Sequence, residues 1–209
     1  FPHFEAALHQ AHPELNLVVR TQAWSADEVD LMPRPDNFGD VHQHLHAVGA
    51  DVIFAAFGFN ESFGGKEKLE EFKQRLTLFL GELQTNAYNG NTAPLIVLVS
   101  PTANENLAGV AAATMNNERL EQYTAAMTEV AASSGVGFVD VFQVTRRAMD
   151  AVDTLFNSDS TFRYCHGSLI YRPHIVVLAI TCNRIERNRY PWSPCLVFNT
   201  QLNRSIHTG

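Results

Sequence analysis

The stretch Asp51-Val52-Ile53-Phe54-Ala55-Ala56-Phe57-Gly58-Phe59-Asn60-Glu61-Ser62 constrains the fold more than any other part of the chain. Its apolar run from Val52 to Phe57 carries no charge, the mark of a strand buried on both faces. Such strands belong to parallel sheets covered by helices, and these sheets present ligands at the carboxyl ends of their strands. The run ends in a glycine followed by an amide side chain. Asn60 is therefore expected where a hydrogen-bond donor can meet a reacting oxygen. The competing reading of Asn60 is a turn residue that bonds its own backbone.

The remainder of residues 1–150 alternates between the two periods. Phe4, Leu8 and Ala11 predict a short helix closed by Pro13, and Leu15–Arg20 predicts a strand. A polar loop with Pro33 and Pro35 leads to a helix near 38–48, with Phe38, Val41, Leu45 and Val48 as its apolar positions. Leu69, Phe72, Leu76, Phe79, Leu80 and Leu83 follow helical spacing, and Asn89-Gly90-Asn91 reads as a turn. Leu95–Val99 is a second fully buried strand ending at Ser100-Pro101, and the 118–132 segment is a helix with Leu120, Tyr123, Met127 and Val130 on one face. Phe138–Phe142 reads as a further strand. Strands alternating with helices over short connections predict an α/β fold with a parallel sheet between helical layers.

At 209 residues the chain suits one domain with a sizeable core, and 45% hydrophobic residues with a net charge of -7 describe a globular protein. The acidic balance argues against nucleic acid or an anionic membrane as the main partner. No apolar run, Ile175–Ile180 included, approaches the roughly 20 residues that span a bilayer. Cys165, Cys182 and Cys195 form neither a Cys-x-x-Cys pair nor an even set, so no zinc site or disulfide framework is expected. No signal peptide is visible, although the chain opens at Phe1 without an initiator methionine and so looks truncated.

Character changes after about residue 155. The cysteines all lie there, with Arg163, Arg172, Arg184, Arg187, Arg189 and Arg204. The division expected is 1–155 as the main domain and 156–209 as an atypical tail. That tail is either a basic C-terminal arm or a segment foreign to the fold, as after a shift of reading frame.

Several motifs occur in order: Trp24-Ser25-Ala26-Asp27-Glu28-Val29, Pro33-Arg34-Pro35, Asn37-Phe38-Gly39-Asp40, Gly58-Phe59-Asn60-Glu61-Ser62-Phe63, Leu98-Val99-Ser100-Pro101 and Phe138-Val139-Asp140. As an ordered set over roughly residues 2–150, they resemble the SGNH (GDSL-type) hydrolases, in particular a bacterial subgroup found in multidomain proteins of planctomycetes. The resemblance implies a flavodoxin-like three-layer sandwich with strand order near 2-1-3-4-5. It implies a serine ester hydrolase, an esterase or a carbohydrate O-acyl esterase, that uses no cofactor. Gly58-Phe59-Asn60-Glu61 is similar to the family's Gly-x-Asn-Asp block, whose asparagine amide helps form the oxyanion hole. Arg20–Val29 looks like the block ending in Ser-Gly-Asp-Thr, with Ala26 at the glycine whose N–H is a second donor. A backbone N–H does not need glycine, but alanine is penalised there if φ is positive. The implied substrate is a small ester or acylated carbohydrate, other domains of a longer protein are further partners, and the resemblance points to an exported bacterial protein.

The chain also departs from that pattern. The Gly-Asp-Ser nucleophile block, expected just upstream of Phe1, is absent, and no Asp-x-x-His block follows residues 143–152. His166 is the remaining candidate base, without an acid three residues before it. Ser25 reads as a loop hydroxyl, since no base is placed beside it. A serine hydrolase lacking nucleophile and base keeps binding and oxyanion stabilisation only, so turnover by this chain as it stands is not expected. The alternative is a noncatalytic α/β module of the same fold that binds a ligand or a domain. The first, central strand of the sheet is also missing. The strands near 15–20 and 52–57 are therefore expected to expose free edges or to pair with each other, at a risk of aggregation.

Other constellations read as ordinary structure. His42 and His46 share a helix face with no evident third ligand, and Asp36, Asp40 and Asp51 suit loops and caps better than calcium. No metal is expected. Gly64-Gly65-Lys66 lacks the spacing and the Ser/Thr of a phosphate loop, and Gly135-Val136-Gly137 precedes a strand rather than opening a helix. Glu67, Glu70 and Glu71 beside Lys66, Lys68 and Lys73 read as helix-surface pairs.

Overall fold

The structure, a computed structural model, describes residues 2–105, 112–156 and 177–182. The chain divides into two units, Phe1–Val18 with Cys182–Gly209, and Val19–Thr181. In the first, α1 spans Pro2–Ala11, with Pro2 in its first turn, where its missing N–H costs nothing. Strand β1, Leu17–Thr21, runs across the boundary.

The second unit holds α2 (Val41–Val48), β2 (Val52–Ala56), α3 (Leu69–Thr85), β3 (Leu95–Val99), α4 (Ala113–Ser134), β4 (Gly137–Val139), α5 (Val141–Phe156) and most of β5 (Val177–Cys182). Five strands form one sheet in the order β1-β5-β2-β3-β4. β2, β3 and β4 run parallel, with Ile53 beside Ile96, Ala55 beside Leu98, and Leu98 beside Phe138. This mixed α/β fold, a parallel sheet flanked by helices, is the class expected.

The central strands β2 and β3 are buried on both faces along most of their length. Ile53, Ala55, Ile96 and Leu98 pack with Leu45 of α2, Phe72, Leu76, Phe79, Leu80 and Leu83 of α3, and Tyr123, Met127 and Val130 of α4. The alternating partners Val52, Phe54 and Val97 are buried as well. A smaller cluster joins Ala103 and Leu120 to Phe142 of α5. At about 25 cal/mol per Å² of apolar surface removed from water, these helix stripes are the main force holding the layers to the sheet.

Among the differences from the sequence reading, three have a visible cause or consequence. Phe38 lies before α2 and is 41% exposed, because Asp40 starts the helix: its carboxylate accepts from Gln43 N while the Gln43 side chain accepts from Asp40 N. Leu95 opens β3 with 46% exposure, so that strand is not buried throughout. Val141 and Phe142 belong to α5 rather than to a strand. The strand stops at Val139, and the Ser100 hydroxyl accepts hydrogen bonds from the Val141 and Phe142 N–H groups while Asp140 accepts from Gln143 N.

The open edges expected beside β2 are also corrected. β2 neither ends the sheet on that side nor pairs with β1. β5 lies between them, antiparallel to β2, with Val52 opposite Ile180 and Ala55 opposite Val177. The apolar run seen near 175–180 supplies this strand.

Candidate functional site

The turn after β2 is set by Gly58 and Glu61. Gly58 has φ +95, and a Cβ added there would come within 3.0 Å of Met127 Sδ, so both backbone conformation and space require glycine. Asn60 follows at the start of the 3-10 turn Glu61–Gly64, with φ -66 and ψ -42. Its amide does not bond its own turn. Nδ2 instead donates to the Asp27 carbonyl at 3.0 Å, across 33 residues of sequence. An amide nitrogen has two hydrogens, and among the described residues the second has no acceptor.

Ala26 lies next to that carbonyl, exposed, with φ +67. The loop that carries it is locked by Asp27, which is 2% exposed. The Asp27 carboxylate accepts from Trp24 N at 3.0 Å and takes both arms of the Arg34 guanidinium, Nη1 at 2.6 Å and Nη2 at 2.8 Å. This two-armed pairing is the strongest geometry open to a guanidinium and a carboxylate, and it raises the Arg34 pKa, chiefly through the hydrogen bond to Asp27. Arg34 also stands 5.4 Å from the ring of Trp24, which meets Phe38 edge-on.

Glu61 ties the two segments together. Glu61 is 5% exposed; its carboxylate Oε1 accepts from Val29 N at 3.1 Å and Oε2 from Gly58 N at 2.9 Å. Burial pushes its pKa up to about 7, against the pull of backbone hydrogen bonds from Glu61 itself, Gly58 and Val29; the charge of Glu28 adds to the rise.

The structure thus brings Asn60 and the Ala26 segment together through Asp27. His166 lies outside the described residues. Glu61, Asp27 and Arg34 were not singled out in the sequence. A charged residue directly behind a buried strand, and an arginine held between two prolines, were the available signals.

The histidines of α2 have protein partners. His42 Nδ1 is 2.6 Å from the Tyr88 hydroxyl and Nε2 is 3.4 Å from Glu82, His44 Nε2 is 2.9 Å from the Phe38 carbonyl, and the ring of His46 meets Tyr88 edge-on. Lys68 with Glu71 and Lys73 with Glu70 are the surface pairs expected. A cleft of about 450 Å³, bordered by Val29, Met32, Arg34, His42, Arg75 and Phe79, is lined by neither Ala26 nor Asn60.

No protein-family model and no curated protein matches the chain. Among solved structures, Est24, a carbohydrate acetylesterase from Sinorhizobium meliloti, is similar at 15% identity and a TM-score of 0.40, over 63% of this chain and 76% of its own. The native aryl esterase of M. smegmatis is similar at 15% identity and a TM-score of 0.42, over 64% and 75%. BT4096, a gut microbial diltiazem-metabolizing enzyme, is similar at 20% identity and a TM-score of 0.34, over 52% and 26%. Likeness at this level establishes no shared chemistry. What the chain itself defines is a mixed α/β protein in which Asn60, in the turn after β2, is bonded to the Asp27 carbonyl.

Proposed function

We propose that this chain is part of a serine ester hydrolase of SGNH type, acting on a small ester or an acylated carbohydrate. The observation that carries the reading is the bond from Asn60 Nδ2 to the Asp27 carbonyl, which draws the strand-end amide to the segment bearing the Ala26 N–H. Attack of a serine on an ester carbonyl turns the carbonyl oxygen into an oxyanion. Donors held rigidly toward that oxygen stabilise the tetrahedral intermediate more than the ground state, which is what lowers the barrier. The hydrogen of Asn60 Nδ2 that has no acceptor among the described residues and the Ala26 N–H are those donors. The Asp27–Arg34 pair and the Glu61 carboxylate keep them from relaxing. Ala26 at positive φ supports the reading from another side, since the resemblance puts a glycine there.

In this reading residues 1–155 form the hydrolase part, and its motifs resemble those of the planctomycete-type subgroup. The serine comes from a Gly-Asp-Ser strand N-terminal to Phe1. His166 is the candidate base, taking the serine proton and returning it to the leaving alcohol. The test is hydrolysis of p-nitrophenyl acetate by a longer chain that carries that strand. Turnover is expected, with Asn60→Ala lowering kcat about 100- to 1,000-fold. Inactivity of the longer chain with an intact Gly-Asp-Ser block would overturn the proposal in favour of a noncatalytic binding module.

A further inference from the structure

We propose that Glu61 is a positioning residue: its ionised carboxylate clamps the loop after β1 to the turn after β2, and so sets where the Asn60 amide and the Ala26 N–H stand relative to each other. The consequence for catalysis rests on the function proposed above, whereas the clamp itself does not.

A carboxylate buried to this degree is costly unless its oxygens are hydrogen-bonded. Here each oxygen serves a different segment, Oε1 the Val29 N–H and Oε2 the Gly58 N–H. Neither amide has a backbone acceptor among the described residues, so the carboxylate satisfies two buried donors at once. Val29 is 2% exposed and lies two residues after Asp27 in the same loop, while Gly58 precedes Asn60 in its turn. The Asn60–Asp27 bond crosses the same two segments at 3.0 Å. Removal of the clamp therefore frees the loop on one side of that bond and the turn on the other.

Only the ionised form can hold both ends. A protonated carboxyl puts an O–H hydrogen on one oxygen, opposite an N–H that also donates. A glutamine does the same with its NH₂. An aspartate is one methylene too short to meet both amides from this backbone position.

Among the described residues, the groups around Glu61 leave its charge uncompensated. Glu28 repels it, and Tyr123 of α4 has its pKa raised mainly by burial and then by Glu61 itself. Arg75 of α3 is committed elsewhere, with Nη1 2.6 Å from Asp30 and 3.9 Å from Glu28. The Arg34 guanidinium is taken by Asp27. Backbone N–H groups are thus what stabilises the ion, and its pKa near 7 puts the making and breaking of the clamp in the neutral range.

The experiment is proton–nitrogen NMR of the 209-residue chain from pH 5 to 9, reading the Val29 and Gly58 amides and the Asn60 side-chain amide. As pH rises, the two backbone amide protons are expected to move downfield with one shared midpoint near 7 and to gain about tenfold or more in exchange protection. The Asn60 Nδ2 protons are expected to follow the same midpoint. In Glu61→Gln and Glu61→Asp that shared titration is expected to disappear while the resonances of α3 and α4 stay in place. The wild-type titration needs no variant, so a substitution that fails to fold does not rescue the idea. Backbone amides that do not titrate together, or that still do so in Glu61→Gln, would remove the clamp. Backbone amides that titrate while Asn60 stays fixed would remove its positioning role. Ester hydrolysis is read nowhere in this test, so its failure and that of the proposed function are separable.

Discussion

At the scale of single residues, Ala26 is the clearest point of strain. Its φ of +67 costs a residue with a Cβ roughly 1–2 kcal/mol, and the side chain is exposed, with no packing to offset that cost. Ala26→Gly relieves the strain but frees the unfolded chain, for a net gain of about 0.5–1 kcal/mol in urea unfolding; a loss would mean the loop relaxes elsewhere. Arg34 has the opposite profile. Its partner Asp27 is 2% exposed, so Arg34→Ala strands a buried charge and should cost about 3 kcal/mol in the same measurement. Breaking the exposed Lys68–Glu71 pair should change nothing measurable. Glu61 links stability to pH. Burial raises its carboxyl from 4.5 to about 7 in the folded chain, so the folded form holds the proton more tightly than the unfolded one. Its contribution is fully present below about pH 4.5 and is lost as pH rises through about 7, a change on the order of 3 kcal/mol. The ionised form that clamps the site is therefore the less stable one. Melting curves at pH 5 and pH 8 should show this slope in the wild type and lose it in Glu61→Gln. Asn60 and Ala26 were legible as candidate site residues because strand ends are local features. Asp27, Arg34 and Glu61 were not, because the bonds that give them their roles include Arg34–Asp27 across 7 residues and Glu61–Val29 across 32.

At the scale of elements, apolar runs announced the strands and stripes announced the helices, but the capping side chains decided where each one ends. Phe138–Phe142 is apolar except for Asp140 and looks like one strand. Yet Asp140 caps Gln143, and the Ser100 hydroxyl reaches over from the end of β3 to take the Val141 and Phe142 N–H groups. The Asp-x-x-Gln spacing was visible in the sequence, whereas a cap donated by a residue 41 positions earlier was not. Ser100 is 2% exposed, so Ser100→Ala leaves two N–H groups of a helix start without their acceptor and no water to replace it. The expected cost is about 2 kcal/mol, and it should appear first as faster amide exchange at Val141 and Phe142. The same logic shortened α2 to begin after Asp40, which left Phe38 outside against Trp24 and His44.

At the scale of the whole molecule, the sequence specified the sheet class and not the occupant of one position in it. The parallel strands β2, β3 and β4 were readable because each is a short apolar run followed by a helix. Nothing in the run near 175–180 revealed that it would pair antiparallel with β2, since register and direction are set by what the neighbouring edge offers. β2 now has a partner on either side, β3 and β5. Successive N–H groups along a strand point to opposite neighbours, so the amides of Val52–Ala55 divide into one alternate set facing β3 and another facing β5. Ala179 pairs with Ile53 in the middle of the shared register. Ala179→Pro removes an N–H and clashes in the ladder, a change worth about 3 kcal/mol or more at interior positions. Hydrogen exchange should then separate the two sets: alternate amides of Val52–Ala55 lose protection, and those between them, bonded to β3, keep it. Uniform loss would mean that the parallel sheet cannot stand without β5. No loss would mean that β5 contributes nothing to holding β2, and the edge of β2 would then be the place where another strand could bind.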